Sequence, residues 1–486
     1  MDTQVIVVGA GPVGLMLAGE LRLGGAEVVV LERLAVPTTE SRASTLHART
    51  MEMFDQRGLL DRLGTPPSQR MGHFGGIPLD LGELPTRYPG QWKVLQARVE
   101  ELLGEWAAEL GADIRRDHEL VGLRAGADRV RVRVDGPAGP LELTAQYLVG
   151  CDGEQSTVRQ LAGIALAGLE PTRELFRADV AGIEVAERRF QRLPNGLAIA
   201  GRLPSGVTRV MVAEFVPPPA RSAPATFEDV CKAWSRVTGE DISAGIPVWV
   251  NAFDNASKMA TSYRSGRVLL AGDAAHLQLP SGGQAINLGL QDAANLGWKL
   301  AAEVAGTAPA GLLDSYAEER QQVGRRVLRN IEAQSLLLLG DTDIEPARAV
   351  LAELISHPEV RDRLAGMISG LDVRYADAEH PLVGARMPHL ELAVGHRATS
   401  TTELLRAGRG VMLDFAADPV RQAALRDWTD DCARQVRLVS ATPAGDNPAG
   451  RSDGLPDTIL LRPDGYLAWA GSGADDPRPA LRRWFG

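Results

Sequence analysis

Cysteine is scarce. Only Cys151, Cys231 and Cys432 occur in 486 residues, widely separated and never as a CxxC pair. That argues against a disulfide framework and against a cysteine-based zinc site, and no metal is expected. It also denies the chain the redox pair of a two-dinucleotide disulfide reductase, and no second GxGxxG follows a strand. Long apolar runs are missing: none approaches the roughly 18 residues of a membrane span. A basic leader is missing too. Met1-Asp2-Thr3-Gln4 runs directly into an apolar strand, so no secretory signal is expected and the cytoplasm is the expected location. Positive charge is in deficit, with 52 Lys and Arg against 62 Asp and Glu, a net −10. This argues against nucleic acid as a partner while leaving room for a local basic site.

What remains is a globular composition, 44% hydrophobic and 23% charged, long enough for two or three domains. One stretch organises the rest: Arg267–Leu300, RVLLAGDAAHLQLPSGGQAINLGLQDAANLGWKL. Its start reads as a buried strand ending at Gly272-Asp273, and from Asn287 it reads as a helix. A strand of this kind delivers a carboxylate to the carboxyl edge of a sheet, where open α/β sheets bind ligands. The loop Leu279-Pro280-Ser281-Gly282-Gly283 then feeds a helix N-terminus, whose free N–H groups and dipole attract negative charge. A cofactor between that carboxylate and that helix end is one reading; an ordinary strand-turn-helix is the other.

Residues 4–32 supply a second anchor. Gln4–Val8 is a continuous apolar run, as in a strand buried on both faces. Gly9-Ala10-Gly11-Pro12-Val13-Gly14 follows, then Leu15, Ala18, Leu21 and Arg22 at helical spacing, then Gly24-Gly25 as a stop. Glu27–Leu31 is a second strand, and Glu32 ends it. Gly9 permits a tight turn, Gly11 lets backbone approach a pyrophosphate, and Gly14 lets helix and strand pack closely. Glu32 can accept hydrogen bonds from ribose hydroxyls, and the β-α-β context with this acid favours a dinucleotide site over a chance glycine turn.

Farther on, Glu40-Ser41-Arg42-Ala43 is polar. Arg42 near the sheet edge reads equally as a phosphate or flavin contact and as a solvated arginine. A helix is expected over Met51–Leu63, and His73–Ile77 reads as a short strand or turn. Gln96 starts a helix ending near Gly111, and Arg129–Val134 with Leu141–Val149 predicts a hairpin that returns to Cys151-Asp152-Gly153, followed by Ser156 and Arg159. Residues 170–262 change character, with runs Leu197–Leu203 and Val207–Phe215 around Pro204-Ser205-Gly206. They predict a mostly antiparallel sheet inserted between two halves of the nucleotide domain, one face of it able to roof a ligand. A long helix is expected over Leu313–Leu339. A third unit of mixed strands and helices follows from about 384, with Pro443–Pro456 as a loop.

Three separated motifs line up: GAGPVG with Glu32-Arg33, Cys151-Asp152-Gly153, and Gly272-Asp273-Ala274-Ala275-His276. Together they resemble the group A FAD-dependent aromatic hydroxylases of the para-hydroxybenzoate hydroxylase fold. Extended stretches such as ELRLGGAEVVVLERL, GHFGGIPLDLG and RPDGYLAWA resemble the subgroup acting on aromatic polyketides, the angucycline hydroxylases above all. The resemblance implies an α/β fold: a Rossmann-type FAD-binding domain (1–170 and 264–383), an inserted mainly antiparallel β-sheet substrate domain (171–263), and a C-terminal thioredoxin-like domain (384–486). The last would be structural or used in a homodimer.

The resemblance also implies roles. Gly9, Gly11, Pro12 and Gly14 would hold the FAD pyrophosphate, and Glu32 the adenosine ribose with Arg33 beside it. Arg42 and Gln96 would face the flavin side. Asp152 would support FAD and a passing NADPH, with NADH as the alternative donor. Gly272 and Asp273 would meet the ribityl or pyrophosphate region. Pro280, Gly282, Gly283, Ala285 and Asn287 would line the isoalloxazine. Leu279 and Ala285 depart from the family's Pro-Pro-x-Gly-Gly-Gln-Gly; a left-handed backbone at Ala285 would cost about 1 kcal/mol. No protein residue is assigned the chemistry, although Arg42 and Pro280 would lie near it. His276 is expected to make a structural hydrogen bond rather than act as base. Phe74 and Phe215 are candidate pocket residues, with core packing the stronger expectation for each.

The implied cycle reduces FAD with NADPH, adds O2 as a C4a-hydroperoxide, and transfers one oxygen to a polycyclic phenol of angucyclinone type in antibiotic biosynthesis. Baeyer–Villiger insertion and antibiotic inactivation remain open within the same fold. A flavin-binding partner protein without turnover is the reading of a different class.

Overall fold

The computed structural model describes residues 1–38, 43–203, 205–216, 224–376, 380–416, 418–444, 455–473 and 475–486. Its largest sheet has the order Arg264–Ser265, Val268–Leu270, Tyr147–Gly150, Val5–Val8, Val28–Glu32, Asp113–Arg116, parallel throughout except for the first strand. Val5, Ile6 and Val7 are fully buried, as the unbroken apolar run requires. The helices Pro12–Leu23 and Gln284–Val304 pack against each other beside this sheet. Gly297 of the second leaves so little room that an added Cβ would lie 2.3 Å from the Cβ of Glu20.

The chain runs from Val5–Val8 through the first helix to Val28–Glu32 on one side, while Tyr147–Gly150 pairs on the other. That reversal makes a topological switch point, with Gly9, Glu32, Cys151 and Ala271–Asp273 all following the carboxyl ends of their strands.

A separate five-stranded antiparallel sheet has the order Arg188–Leu193, Gly196–Arg202, Thr208–Glu214, Glu174–Ala181, Ile246–Asp254. Alternation divides its side chains between two faces. Phe176, Ala178, Val180, Ala198, Val210 and Val212 bury against helix Phe227–Thr238 around Trp234. The other face carries a row in cross-strand register, Ile199, Met211, Arg177, Asn251. Beside it runs Leu197, Ala213, Leu175, Phe253. The second row packs on Leu279, Ile331 and Leu338, so this face is turned toward the large sheet's helices.

The C-terminal unit builds a four-stranded mixed sheet, order Val436–Ser440, Gly410–Asp414, Thr458–Leu461, Leu467–Gly471, with helices Pro419–Asp430 and Arg478–Trp484. The first pair is parallel and the others antiparallel, a thioredoxin-like arrangement. The expected loop Pro443–Pro456 lies mostly outside the described residues.

Two expectations need correction. The helix expected over Met51–Leu63 is two pieces, Ala48–Asp55 and Leu60–Leu63, because Gly58 sits at φ +68° and breaks it. The second hairpin arm is also divided. Gly139–Ala145 pairs antiparallel with Val130–Gly136, whereas Tyr147–Gly150 leaves to join the large sheet.

Candidate active site

The three glycines of the first loop have three different environments. A Cβ on Gly9, which sits at φ +103°, would lie 2.4 Å from the carbonyl oxygen of Cys151, and one on Gly14 would lie 2.0 Å from that of Gly9. Those two are fixed by packing inside the protein. Gly11 is different: its φ is −76°, and a Cβ there would meet nothing within 4 Å. Neither conformation nor packing demands glycine, so the open space is room for a ligand to approach the backbone. Gly11 is also the N-cap of helix Pro12–Leu23, which has no side-chain cap and no acidic residue in its first turn. An anion fits that end.

Glu32 closes the loop from the next strand. One carboxylate oxygen accepts the Ala10 N–H at 2.8 Å and the other accepts the Leu34 N–H at 2.9 Å. Arg33 is exposed beside it. Gln96, the first residue of its helix, accepts the Ala43 N–H at 3.2 Å and donates to Glu100 at 2.8 Å. Burial pushes the Glu100 carboxyl above its ordinary range. Arg42 lies outside the described residues.

Asp152 accepts from Ser156 Oγ at 2.5 Å and from the Val158 N–H at 3.0 Å. Its carboxylate therefore holds the turn into helix Thr157–Leu161. Arg159 bridges this motif to the next by donating to the Ala274 carbonyl at 3.1 Å.

Gly272 turns at φ +65° against Val13, and its N–H donates to Asp292 Oδ2 at 3.1 Å. Asp273 stands exposed on that turn. His276 Nε2 donates to the same Oδ2 at 2.8 Å, while Arg320 Nε donates to Oδ1 at 2.6 Å. All three side chains are fully buried. Burial opposes ionisation of Asp292, but Arg320 and His276 outweigh it and hold the carboxyl below its ordinary range. His276 thus fastens the turn, the structural role expected of it.

The loop 279–283 is anchored from every side. Leu279 is buried among Phe215, Leu175 and Leu338, so the leucine that departs from the family pattern pins the loop to the antiparallel sheet. Pro280 is exposed, and Ser281 Oγ donates to Gln334 at 3.2 Å. Gly282 and Gly283 both adopt left-handed backbone, at φ +65° and +74°. Ala285 does not: it lies in the first turn of helix Gln284–Val304, so the strain feared for this departure is absent. The Asn287 side chain gathers four partners. It donates to the carbonyls of Gly283 at 2.7 Å and Thr45 at 3.0 Å, and accepts from His47 N–H at 2.8 Å and Thr50 Oγ1 at 2.7 Å. His47 Nε2 donates to the Gly282 carbonyl at 2.8 Å. Burial lowers the His47 pKa to about 4.

Of the two candidate pocket aromatics, Phe74 packs in a cluster with Ala48, Ile77 and Leu337. Phe215 packs with Leu279 under Arg192. Both are core, as the stronger expectation had it. Ile199, Met211 and Phe253, by contrast, are half-buried on the sheet face turned toward this loop. Sequence reasoning missed these, and it missed the roles of His47, Asp292 and Arg320. A register count on the antiparallel sheet would have found the first set; nothing local marks the second.

Comparison with known proteins decides the family. Residues 2–331 match the family described as FAD binding domain, and residues 380–486 match the aromatic-ring hydroxylase C-terminal family. The chain belongs to the FAD-dependent aromatic-ring hydroxylases. The hydroxylase is 44% identical over 513 residues to 12-dehydrotetracycline 5-monooxygenase/anhydrotetracycline 6-monooxygenase of Streptomyces rimosus, covering 100% of this chain and 99% of that one. The structure of CabE, an aromatic hydroxylase from angucycline biosynthesis, is 48% identical with a TM-score of 0.95, covering 100% and 99%. Dialkyldecalin synthase of Streptomyces rugosporus is 39% identical over 497 residues, covering 100% and 99%. The glycine loop, Glu32 and the two uncapped helix ends of this hydroxylase fit FAD.

Proposed function

We propose that this hydroxylase introduces one oxygen atom into a polycyclic aromatic polyketide of angucyclinone type, using NADPH and O2, in the cytoplasm. The observation that carries the reading is the half-buried face Ile199, Met211 and Phe253 of the antiparallel sheet, turned toward the 279–283 loop. Ile199 and Met211 share their row with Arg177 and Asn251, a mixed apolar and polar face suited to a polycyclic ligand that carries oxygen substituents. End-to-end similarity to enzymes named for tetracycline and angucycline chemistry supports that substrate class.

When bound, FAD supplies reductive activation of O2 and delivery of one oxygen atom. Gly11 and Pro12 would receive the pyrophosphate on the turn that Gly9 and Gly14 hold by packing, Glu32 the ribose with Arg33 flanking, and Gln96 and Arg42 the flavin side. Asp152, Gly272 and Asp273 shape the middle of the cofactor groove. Pro280, Gly282, Gly283, Ala285 and Asn287 present a helix N-terminus that favours negative charge on the flavin ring. The domain limits that accompany this proposal are 1–170 with 264–383, 171–263, and 384–486.

A second reading comes from the dialkyldecalin synthase relative, whose name denotes no oxygenation. There the flavin would serve binding rather than turnover. One experiment separates the readings: holoenzyme, NADPH or NADH, labelled O2 and a panel of angucyclinones and anthraquinones. One labelled oxygen per NADPH consumed supports the proposal. A converted product without label or NADPH consumption supports the second reading. Product connectivity separates ring hydroxylation from Baeyer–Villiger insertion.

A further inference from the structure

Two cations meet where the antiparallel sheet closes onto the floor of the crevice. Lys93 is in register with Thr45 on adjacent short strands, and its Nζ donates to Thr45 Oγ1 at 3.1 Å. Thr45 is packed so tightly on the loop that a Cβ at Gly283 would lie 3.0 Å from it. Lys93 and Thr45 therefore share the face that bears His47 and the loop's Gly282 carbonyl. From the opposite wall Arg189, on the edge strand Arg188–Leu193, donates to the Met71 carbonyl at 2.5 Å. The neighbouring Phe190 stacks on His73 with ring centroids 3.9 Å apart. Strand Met71–Phe74 itself borders the 281–283 turn.

Among the described residues neither Lys93 nor Arg189 pairs with a carboxylate within 4 Å; they donate to a hydroxyl and a carbonyl instead. The two histidines beside them add no further positive charge: burial lowers His47 to about 4 and His73 to about 3, so both are neutral at neutral pH. Burial and Arg189 together press Lys93 below the ordinary lysine value. Lys93 is half-buried, while Arg189 is exposed on the edge strand. A half-buried cation without a carboxylate partner is a cost unless a ligand supplies the negative charge.

We propose that Lys93 and Arg189 form a cationic recognition pair beside the 281–283 turn, and that the preferred substrate presents an aromatic oxyanion there, either a ring phenolate or a carboxylate. The proposal rests on the crevice being the substrate site. It adds that recognition is by charge, not by apolar fit alone, and that the pair selects the ionised form of a weakly acidic phenol.

The test is equilibrium binding to oxidised holoenzyme, followed by flavin fluorescence quenching and probe absorbance, without turnover. The probes are 1,2-dihydroxyanthraquinone, its dimethyl ether, anthraquinone-2-carboxylate and the matching carboxamide. The expected result is that the bound dihydroxy probe shows its anion spectrum at a pH where the free probe is neutral. Lys93→Met and Arg189→Met should each weaken the charged probes about tenfold or more and leave the neutral ones unchanged. Lys93→Arg should restore binding. Preference for the phenol identifies a ring oxyanion, and preference for the carboxylate identifies a carboxylated substrate. Equal losses for charged and neutral probes, or none, at unchanged flavin content would overturn the proposal, as would a bound neutral spectrum in the wild-type protein. Because no step needs NADPH, failure of oxygenation would strike the proposed activity and leave this result standing.

Discussion

Arg49 donates to the backbone carbonyl of Asp464 at 2.8 Å, across 415 positions of sequence, and lies over the ring of Tyr466 at 5.0 Å. The turn Arg462–Tyr466 of the C-terminal unit is thereby docked beside the short helix that follows His47. Arg57 adds the Pro463 carbonyl at 2.8 Å, and Arg462 donates to both oxygens of Glu319 and to Asp464. Lys299 shares Glu319 at 2.7 Å. These are buried charges, so removing one partner leaves the others unpaired. Arg462→Ala should cost on the order of 3–5 kcal/mol, read by denaturant unfolding of the full chain. A variant unfolding at the wild-type midpoint would mean that the C-terminal unit rests on the larger one without energetic coupling.

Gly11 and Gly14 separate fold from function. Gly14→Ala places a Cβ 2.0 Å from the Gly9 carbonyl and should prevent a stable fold or lower the melting temperature sharply. Gly11→Ala meets nothing within 4 Å. The apoprotein should melt as wild type does, while FAD retention through gel filtration drops. If Gly11→Ala holds FAD as tightly as wild type, the pyrophosphate does not approach that backbone.

Ala285→Gly tests the departure from the family loop. Because Ala285 is helical, restoring glycine should destabilise by about 1 kcal/mol and bring no gain in flavin affinity. Tighter FAD binding by the glycine variant would show that the methyl group narrows the flavin's approach.

His276→Asn examines the buried trio. Asp292 keeps Arg320 at 2.6 Å, so the loss is one hydrogen bond to a charged group, about 1.5–3 kcal/mol. Stability should fall while the pH profile of kcat keeps its shape. A profile that loses one limb would make His276 a proton carrier after all.

The adenosine half of the site was legible because its demands are local. A buried strand, a tight glycine turn, a helix and a terminal acid all write their needs into 28 consecutive residues, from Val5 to Glu32. The antiparallel roof was legible as alternation, though not which of its side chains face the crevice, because that depends on register between Arg177, Met211 and Asn251. The floor was not legible. Thr45–His47 and Gln91–Lys93 are strands of three residues, too short to show a period. Helix Gln284–Val304 was legible only in outline. It buries Asn287, Asp292, Asn295 and Lys299 almost all round, and their partners sit on elements whose approach no local pattern announces.

His47 also carries a pH signature. Its ring is buried and its pKa falls from the ordinary 6.5 to about 4, so the folded protein resists a proton that the unfolded chain accepts. Above pH 6.5 both states are neutral at this residue and its contribution is constant. As pH falls from 6.5 toward 4, the unfolded state binds more protons and stability declines, at up to about 1.4 kcal/mol per pH unit for this one group. Below about 4 the folded state takes the proton as well and this loss stops growing. Carboxyls held below their ordinary range, such as Asp292, add losses at still lower pH, while those raised by burial, such as Glu100, act in the opposite sense, so the comparison must be with a variant. His47→Gln retains an N–H for the Gly282 carbonyl and cannot titrate. Its unfolding free energy should therefore decline less steeply than wild type between pH 6.5 and 4, and run parallel to it above pH 7. Parallel curves over the whole range would show that His47 is protonated as readily in the folded protein as in the unfolded one.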